Sequence, residues 1–150
     1  MASLTYVLVF AAFIVAASCQ STPFSTCKQG APPSDVRIAG CTKAPCSLVR
    51  GTNAVGEWDF VVSDDTAKLT PRVRATVLGL TVNYDIGQEN ACDTLTNAEC
   101  PLDKGEEVTY ALSMPVLESY PKLSLTIEFA FLDESKNVQT CFKIKAKVVD

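Results

Sequence analysis

Stretch after stretch, this chain alternates apolar and polar residues with a period of two, a pattern that commits it to β-structure. The clearest case is Leu123, Leu125, Ile127, Phe129 and Phe131, interleaved with Ser124, Thr126, Glu128 and Ala130. Successive side chains on a strand point to opposite faces, so one face here is wholly apolar and the other mostly polar. Val138, Phe142, Ile144, Ala146 and Val148 repeat the pattern against Gln139, Cys141, Lys143, Lys145 and Lys147, with Thr140 as the exception. The polar run Asp133 to Asn137 lies between the two stretches and predicts the turn of a hairpin. Shorter alternations cover Gly56 to Val62, Val73 to Val77 and Val108 to Met114, with Val36 to Ala39 as a further short candidate. Ala91 to Glu99 is the best helical candidate and is too short to carry an amphipathic face. About six to eight strands, with turns at regular spacing and prolines at strand edges, predict an all-β, two-sheet sandwich.

The leader has another character. Leu4 to Ala17 is apolar except for Thr5 and Tyr6, and small residues follow at Ala16, Ala17 and Ser18. A membrane-spanning helix needs roughly 20 apolar residues, and this run is shorter. It reads as a secretory signal peptide over residues 1–19, although its first residues carry no Lys or Arg. The expected mature domain is then 20–150, soluble and secreted. No N-x-S/T sequon follows, since Asn53, Asn83, Asn90, Asn97 and Asn137 all lack it. That favours secretion over glycan-dependent delivery to the lysosomal lumen.

Seven cysteines in 150 residues suit an oxidising compartment. Cys19 belongs to the leader, leaving Cys27, Cys41, Cys46, Cys92, Cys100 and Cys141. Six thiols allow more than a dozen connectivities, and sequence alone does not choose among them. Spacing suggests one: Cys41 with Cys46, Cys92 with Cys100, and the outer pair Cys27 with Cys141. No C-x2-C pair is present, which argues against zinc.

Other classes fall away on residue type. The chain has no histidine, which removes Ser-His and Cys-His catalysis and His-ligated zinc. Its formal charge is −4, the wrong sign for non-specific nucleic-acid binding. Neighbouring carboxylates such as Asp64–Asp65 and Glu106–Glu107 would point to opposite faces of a strand. No phosphate-binding loop, nucleophile elbow or calcium-loop pattern occurs. The expectation is a protein that is not an enzyme and needs no metal or cofactor. Cys46 and Trp58 are spaced as in immunoglobulin domains, but the tyrosine corner is absent. Asn90, Ala98 and Gln139 stand two residues before Cys92, Cys100 and Cys141. The fold expected is therefore immunoglobulin-like in its two-sheet arrangement without being an antibody-type domain.

Four segments carry a family resemblance. These are Cys27 with the loop CTKAPCSLVRG, the stretch VLGLTVNYDIGQENAC, the stretch ECPLDKGEEVTYALSMPVLESYPKLSLTIEF, and the closing TCFKIKAKVV. Together they resemble the lipid-recognition ML domain, most closely its Niemann–Pick type C2 group of secreted sterol- and lipid-binding proteins. The resemblance implies the cysteine pairing first with last, second with third, and fourth with fifth, which matches the spacing. It also implies sheets splayed around an apolar cavity. Tyr84, Val116 and Tyr120 correspond to the family's pocket mouth, and Val82, Leu125, Ile127, Phe129 and Phe142 to inner-face positions; Phe60 joins them as a candidate. This chain departs from the sterol binders in having Tyr84 where they carry phenylalanine. Phe129 and Phe142 stand where they carry tryptophan.

The expected ligand is a sterol, a fatty acid or a semiochemical, bound by a chain expected to be monomeric. Lys143, Lys145 and Lys147 form a basic stripe whose functional reading is transient docking to anionic membrane. Its plain reading is a solvated face that protects the sheet. The rival function is an extracellular lipid-presenting or glycolipid-recognition module in innate immunity, acting through a protein partner.

Overall fold

The computed structural model describes residues 20–150. The leader read as a signal peptide lies outside the described residues. Among the described residues nine strands form: β1 (Ser25–Thr26), β2 (Asp35–Ile38), β3 (Cys46–Val49), β4 (Asn53–Val61), β5 (Thr70–Val77), β6 (Leu80–Tyr84), β7 (Glu107–Pro115), β8 (Ser124–Leu132) and β9 (Val138–Val149). They make a two-sheet sandwich. The larger sheet runs β1-β9-β8-β5-β6, with β3 also paired to β9, and the smaller runs β2-β4-β7. All pairs are antiparallel except β3 with the C-terminal half of β9. The helical candidate shrinks to a 3-10 turn over Ala91–Thr94, started by Asn90, whose side-chain oxygen accepts from the Cys92 N–H at 3.0 Å.

The strongest alternations become the central strands. In the β8–β9 hairpin Ile127 pairs with Ile144 and Phe129 with Phe142, so the apolar faces coincide. The Asp133 carboxylate builds its turn by accepting from the N–H groups of Ser135 and Asn137, each at 2.9 Å. The sulfurs bond as Cys27–Cys141, Cys41–Cys46 and Cys92–Cys100. The outer disulfide ties the segment after β1 to β9 across 114 residues.

The sandwich is filled unevenly along its length. At one end Trp58 of β4 lies 4.6 Å from Tyr110, 5.3 Å from Phe129, 5.7 Å from Phe131 and 5.0 Å from Phe142, centroid to centroid. Phe60 adds a contact to Phe131 at 5.5 Å. Such aromatic pairs add about 0.5–1.5 kcal/mol each beyond the area they bury. Toward the other end the same strands turn small. β4 continues inward from Trp58 to Gly56 and Ala54, while β5 presents Ala75 and β9 Ala146. Gly56 leaves room for Ile38 to lie over it; a Cβ there would come within 2.4 Å of the Ile38 Cδ1.

Candidate functional site

The small end of the sandwich holds an apolar cavity of about 270 Å³. Val73, Ala75 and Val77 of β5 and Leu125 and Ile127 of β8 form one wall, which Leu48 and Val148 extend. Met114 of β7 and the Tyr120, Pro121 and Leu123 segment close the opposite side. Almost no polar atom faces the space. Its floor lies at the level of Val73, which pairs with Phe129 on one side and Tyr84 on the other. Beyond that level the aromatic cluster fills the interior. A wider depression of about 440 Å³ exists at Arg37, Glu57 and Gln20, but it is more open, and polar and charged side chains share its lining with apolar ones. A cleft lined almost wholly by apolar side chains suits a small apolar ligand better than a wide one of mixed lining.

The cavity opens because the two sheets differ in width. The three-stranded sheet does not reach β6, so the inward face of that strand is uncovered. Val82 faces Ala75 in register yet is 60 % exposed, and Leu80, level with Val77, is 75 % exposed. Tyr84, also on β6, meets Tyr120 from the 116–123 connection across this opening. Their rings stand edge to face at 6.3 Å and 84°, and their hydroxyls hydrogen-bond to each other. Arg50 steadies the connection by donating to the carbonyls of Glu118 at 3.1 Å and Tyr120 at 3.3 Å. Desolvation, and then the bond to Tyr120, push the Tyr84 hydroxyl pKa up to about 12.

The structure brings together Val82, Tyr84, Tyr120, Leu125 and Ile127 from the expected set around this cavity. It places four others elsewhere. Phe60, Phe129 and Phe142 belong to the aromatic cluster, where stacking against Trp58 and Phe131 holds them away from the opening. Val116 is 2 % exposed and is fixed by backbone bonds to Gly51 and Thr52 rather than standing at the mouth. Sequence reasoning missed Leu48, Pro121 and the lining role of Val73, Ala75, Val77, Met114, Leu123 and Val148. Most of these lie in alternating stretches, but alternation does not tell a filled layer from a hollow one. The signal that was present is a small residue where a large one would fill the layer: Gly56 and Ala54 after Trp58 on β4, Ala75 on β5 and Ala146 on β9.

Lys143 is half-buried and lies 3.9 Å from Glu128, whereas Lys145 and Lys147 are exposed on the outer face. Cys27, Cys141 and Glu128 cluster within reach of one another, but the two sulfurs are bonded together and offer no thiolate to a metal.

The sequence pattern of the ML domain matches residues 21–148. Drosophila melanogaster NPC intracellular cholesterol transporter 2 homolog a is 33 % identical over 115 residues, covering 75 % of this chain and 77 % of that protein. Mite group 2 allergen Lep d 2 of Lepidoglyphus destructor is 27 % identical over 143 residues, covering 95 % and 97 %. The crystal structure of a Niemann–Pick type C2 protein from the Japanese carpenter ant superposes with a TM-score of 0.78 at 27 % identity, covering 85 % of this chain and 99 % of that one. With the splayed sandwich, the three disulfides and the pattern match in agreement, the chain belongs to the ML-domain family, as a Niemann–Pick type C2-like member.

Proposed function

We propose that this protein carries a small apolar lipid in the cavity between its sheets and exchanges it through the Tyr84–Tyr120 mouth. The observation that carries the reading is a nearly all-apolar cavity left hollow beside a densely packed aromatic cluster. Protein interiors close-pack by default, so a void of this size at one end of an otherwise filled sandwich calls for an occupant. The cholesterol-transporter relative supports a sterol as one ligand class. The cavity volume favours a slimmer one. At about 270 Å³ it lies just under the roughly 300–1,000 Å³ of sites that enclose drug-sized molecules. A single acyl chain enters by moving the two tyrosine side chains, whereas a rigid ring system also needs the sheets to separate. We therefore rank fatty acid and similar slender lipids above sterol.

Affinity comes from apolar burial. A lipid of roughly 20–30 heavy atoms at about 0.3 kcal/mol per atom gains about 6–9 kcal/mol, or tens of micromolar to sub-micromolar affinity. That range suits loading and release. The leader and the three disulfides support secretion into an oxidising compartment. The test is paired titration with two intrinsically fluorescent lipids, cis-parinaric acid and dehydroergosterol. Saturable binding of the fatty acid at lower concentration than the sterol is expected. Saturable binding of neither would remove the carrier reading.

A further inference from the structure

Tyr120 sits on a connection that the sequence keeps out of both sheets. Residues 116–123 follow Pro115 and contain Pro121, neither of which has an N–H to offer a strand ladder. The connection is tied down at its two ends. Val116 donates to the Thr52 carbonyl at 2.8 Å and accepts from the Gly51 N–H at 2.7 Å, and the Leu123 carbonyl accepts from the Val148 N–H at 2.9 Å. Between those ends Leu117, Glu118, Ser119, Pro121 and Lys122 are exposed. The backbone bond recorded there is local, from the Tyr120 N–H to the Leu117 carbonyl at 3.1 Å. A stretch of this kind opens readily unless side chains hold it.

Among the described residues three side chains outside the connection hydrogen-bond to it: Tyr84, Arg50 and Asp150. Arg50 and Asp150 stand side by side because β3 runs parallel to β9 with Val49 level with Val149, and the Arg50 N–H donates to the Val149 carbonyl at 2.9 Å. The Arg50 Nη1 donates to the carbonyls of Glu118 at 3.1 Å and Tyr120 at 3.3 Å, while its Nη2 donates to the Asp150 carboxylate. The other oxygen of that carboxylate accepts from the Lys122 Nζ at 2.6 Å. The network thus starts on the β3–β9 ladder, and both of its arms end on the connection, one at Tyr120 itself. The planar guanidinium serves two carbonyls and a carboxylate at once, which a compact ammonium group does not. Contact is close beside it: a Cβ on Gly51 would come within 3.2 Å of the Glu118 Oε1.

We propose that Arg50 is a positioning residue for lipid exchange. With Asp150 it latches the 117–122 stretch and so holds Tyr120 against Tyr84, and release of the latch sets how often Tyr120 swings clear of the mouth. The cavity walls take no part in the latch, so it governs the speed of exchange more than its equilibrium. This rests on the carrier reading, and the test separates the two.

Stopped-flow mixing of cis-parinaric acid with the full, disulfide-intact protein gives the entry rate, and displacement by excess oleic acid gives the exit rate. In Arg50→Gln both rates are expected to rise about tenfold, while affinity, their ratio, shifts less than either. Arg50→Lys keeps the charge beside Asp150 but not the fork, and falls between the two. Asp150→Asn speeds both rates about threefold; wild-type rates rise with added salt and those of Asp150→Asn do not. Hydrogen exchange of the Tyr120 amide reads the latch without lipid. It is expected to quicken about fivefold in Arg50→Gln, with the amides of β8 and β9 unchanged. Entry and exit rates in Arg50→Gln that stay at the wild-type values would overturn the proposal. So would a faster exit with an unchanged entry, which would make Arg50 a source of affinity alone. Equal Tyr120 amide exchange in the two proteins would overturn it whatever the lipid result. Faster exchange of that amide in a protein that takes up no cis-parinaric acid would keep the latch and remove the carrier reading alone.

Discussion

Two residues set the character of the cavity, one by its size and one by its hydroxyl. Ala75 projects into the hollow layer where its counterparts nearer the floor are Val73 and Phe129. Ala75→Phe should therefore fill space rather than create strain. We expect lost fatty-acid binding with no fall in melting temperature, read by titration and calorimetry on one preparation. Phe142→Ala, in the filled layer, should cost about 3–5 kcal/mol, measured by urea unfolding. If Ala75→Phe proves the more destabilising of the two, the hollow layer is not hollow. Tyr84 makes a prediction in pH. Its folded pKa, about 12, lies above the ordinary tyrosine value of 10.0. The unfolded chain then loses that proton first. Stability is full below about pH 10 and declines as pH rises through about 12. Denaturant midpoints across that window should fall in wild type and fall less in Tyr84→Phe.

At the scale of elements, the disulfides and the strands divide the structural work. The Cys27–Cys141 bond closes a separation of 114 residues and the Cys41–Cys46 bond one of five. In the chain-entropy view the first constrains the unfolded state by about 5 kcal/mol and the second by about 2 kcal/mol. Serine pairs replacing each bond should reproduce that order in urea midpoints. A larger loss from the short loop would place its role in shaping β3 instead. The long strands are legible in sequence because β4, β7, β8 and β9 bury one face more than the other, and β5 keeps its alternation around buried Val73. Of the short ones, β2 is legible as the Val36 to Ala39 stretch, and β1 and β3 are not. β1 spans two residues and β3 four, too few for a period to register. β6 escaped for a physical reason: all but the last of its residues are exposed, so burial imposed no alternation on it. The mouth lies along this strand, and the site was accordingly the harder part to read. Tyr84 and Tyr120 stand out in the sequence only through their place in the family pattern, and both line the cavity. Phe60, Phe129 and Phe142 pack on Phe131 or Trp58, and an inward aromatic looks the same in sequence whether it lines a cavity or joins such a cluster.

Across the whole molecule, two gradients run through the sandwich. Side-chain size falls from the Trp58 cluster toward Ala54, Ala75 and Ala146, which leaves one end hollow. Charge changes sign from the outer face of the small sheet, with Asp35, Glu57 and Asp59 about Arg37, to that of the large one, with Arg72, Arg74, Lys143, Lys145 and Lys147 about Glu128, and a formal −4 hides this. The first gradient leaves the hollow that the proposed carrier role requires. Stability belongs to the filled end and exchange to the hollow end, so ligand binding should raise the melting temperature without altering the aromatic cluster.

The most direct test of that division is mass spectrometry of organic extracts from the purified, disulfide-intact protein, beside Ala75→Phe prepared identically. The account predicts a slender lipid in near-stoichiometric amount from wild type and little or none from the variant. Equal lipid from both, or a folded wild type that carries none and takes up none when offered it, would contradict the assignment of the cavity as the binding site.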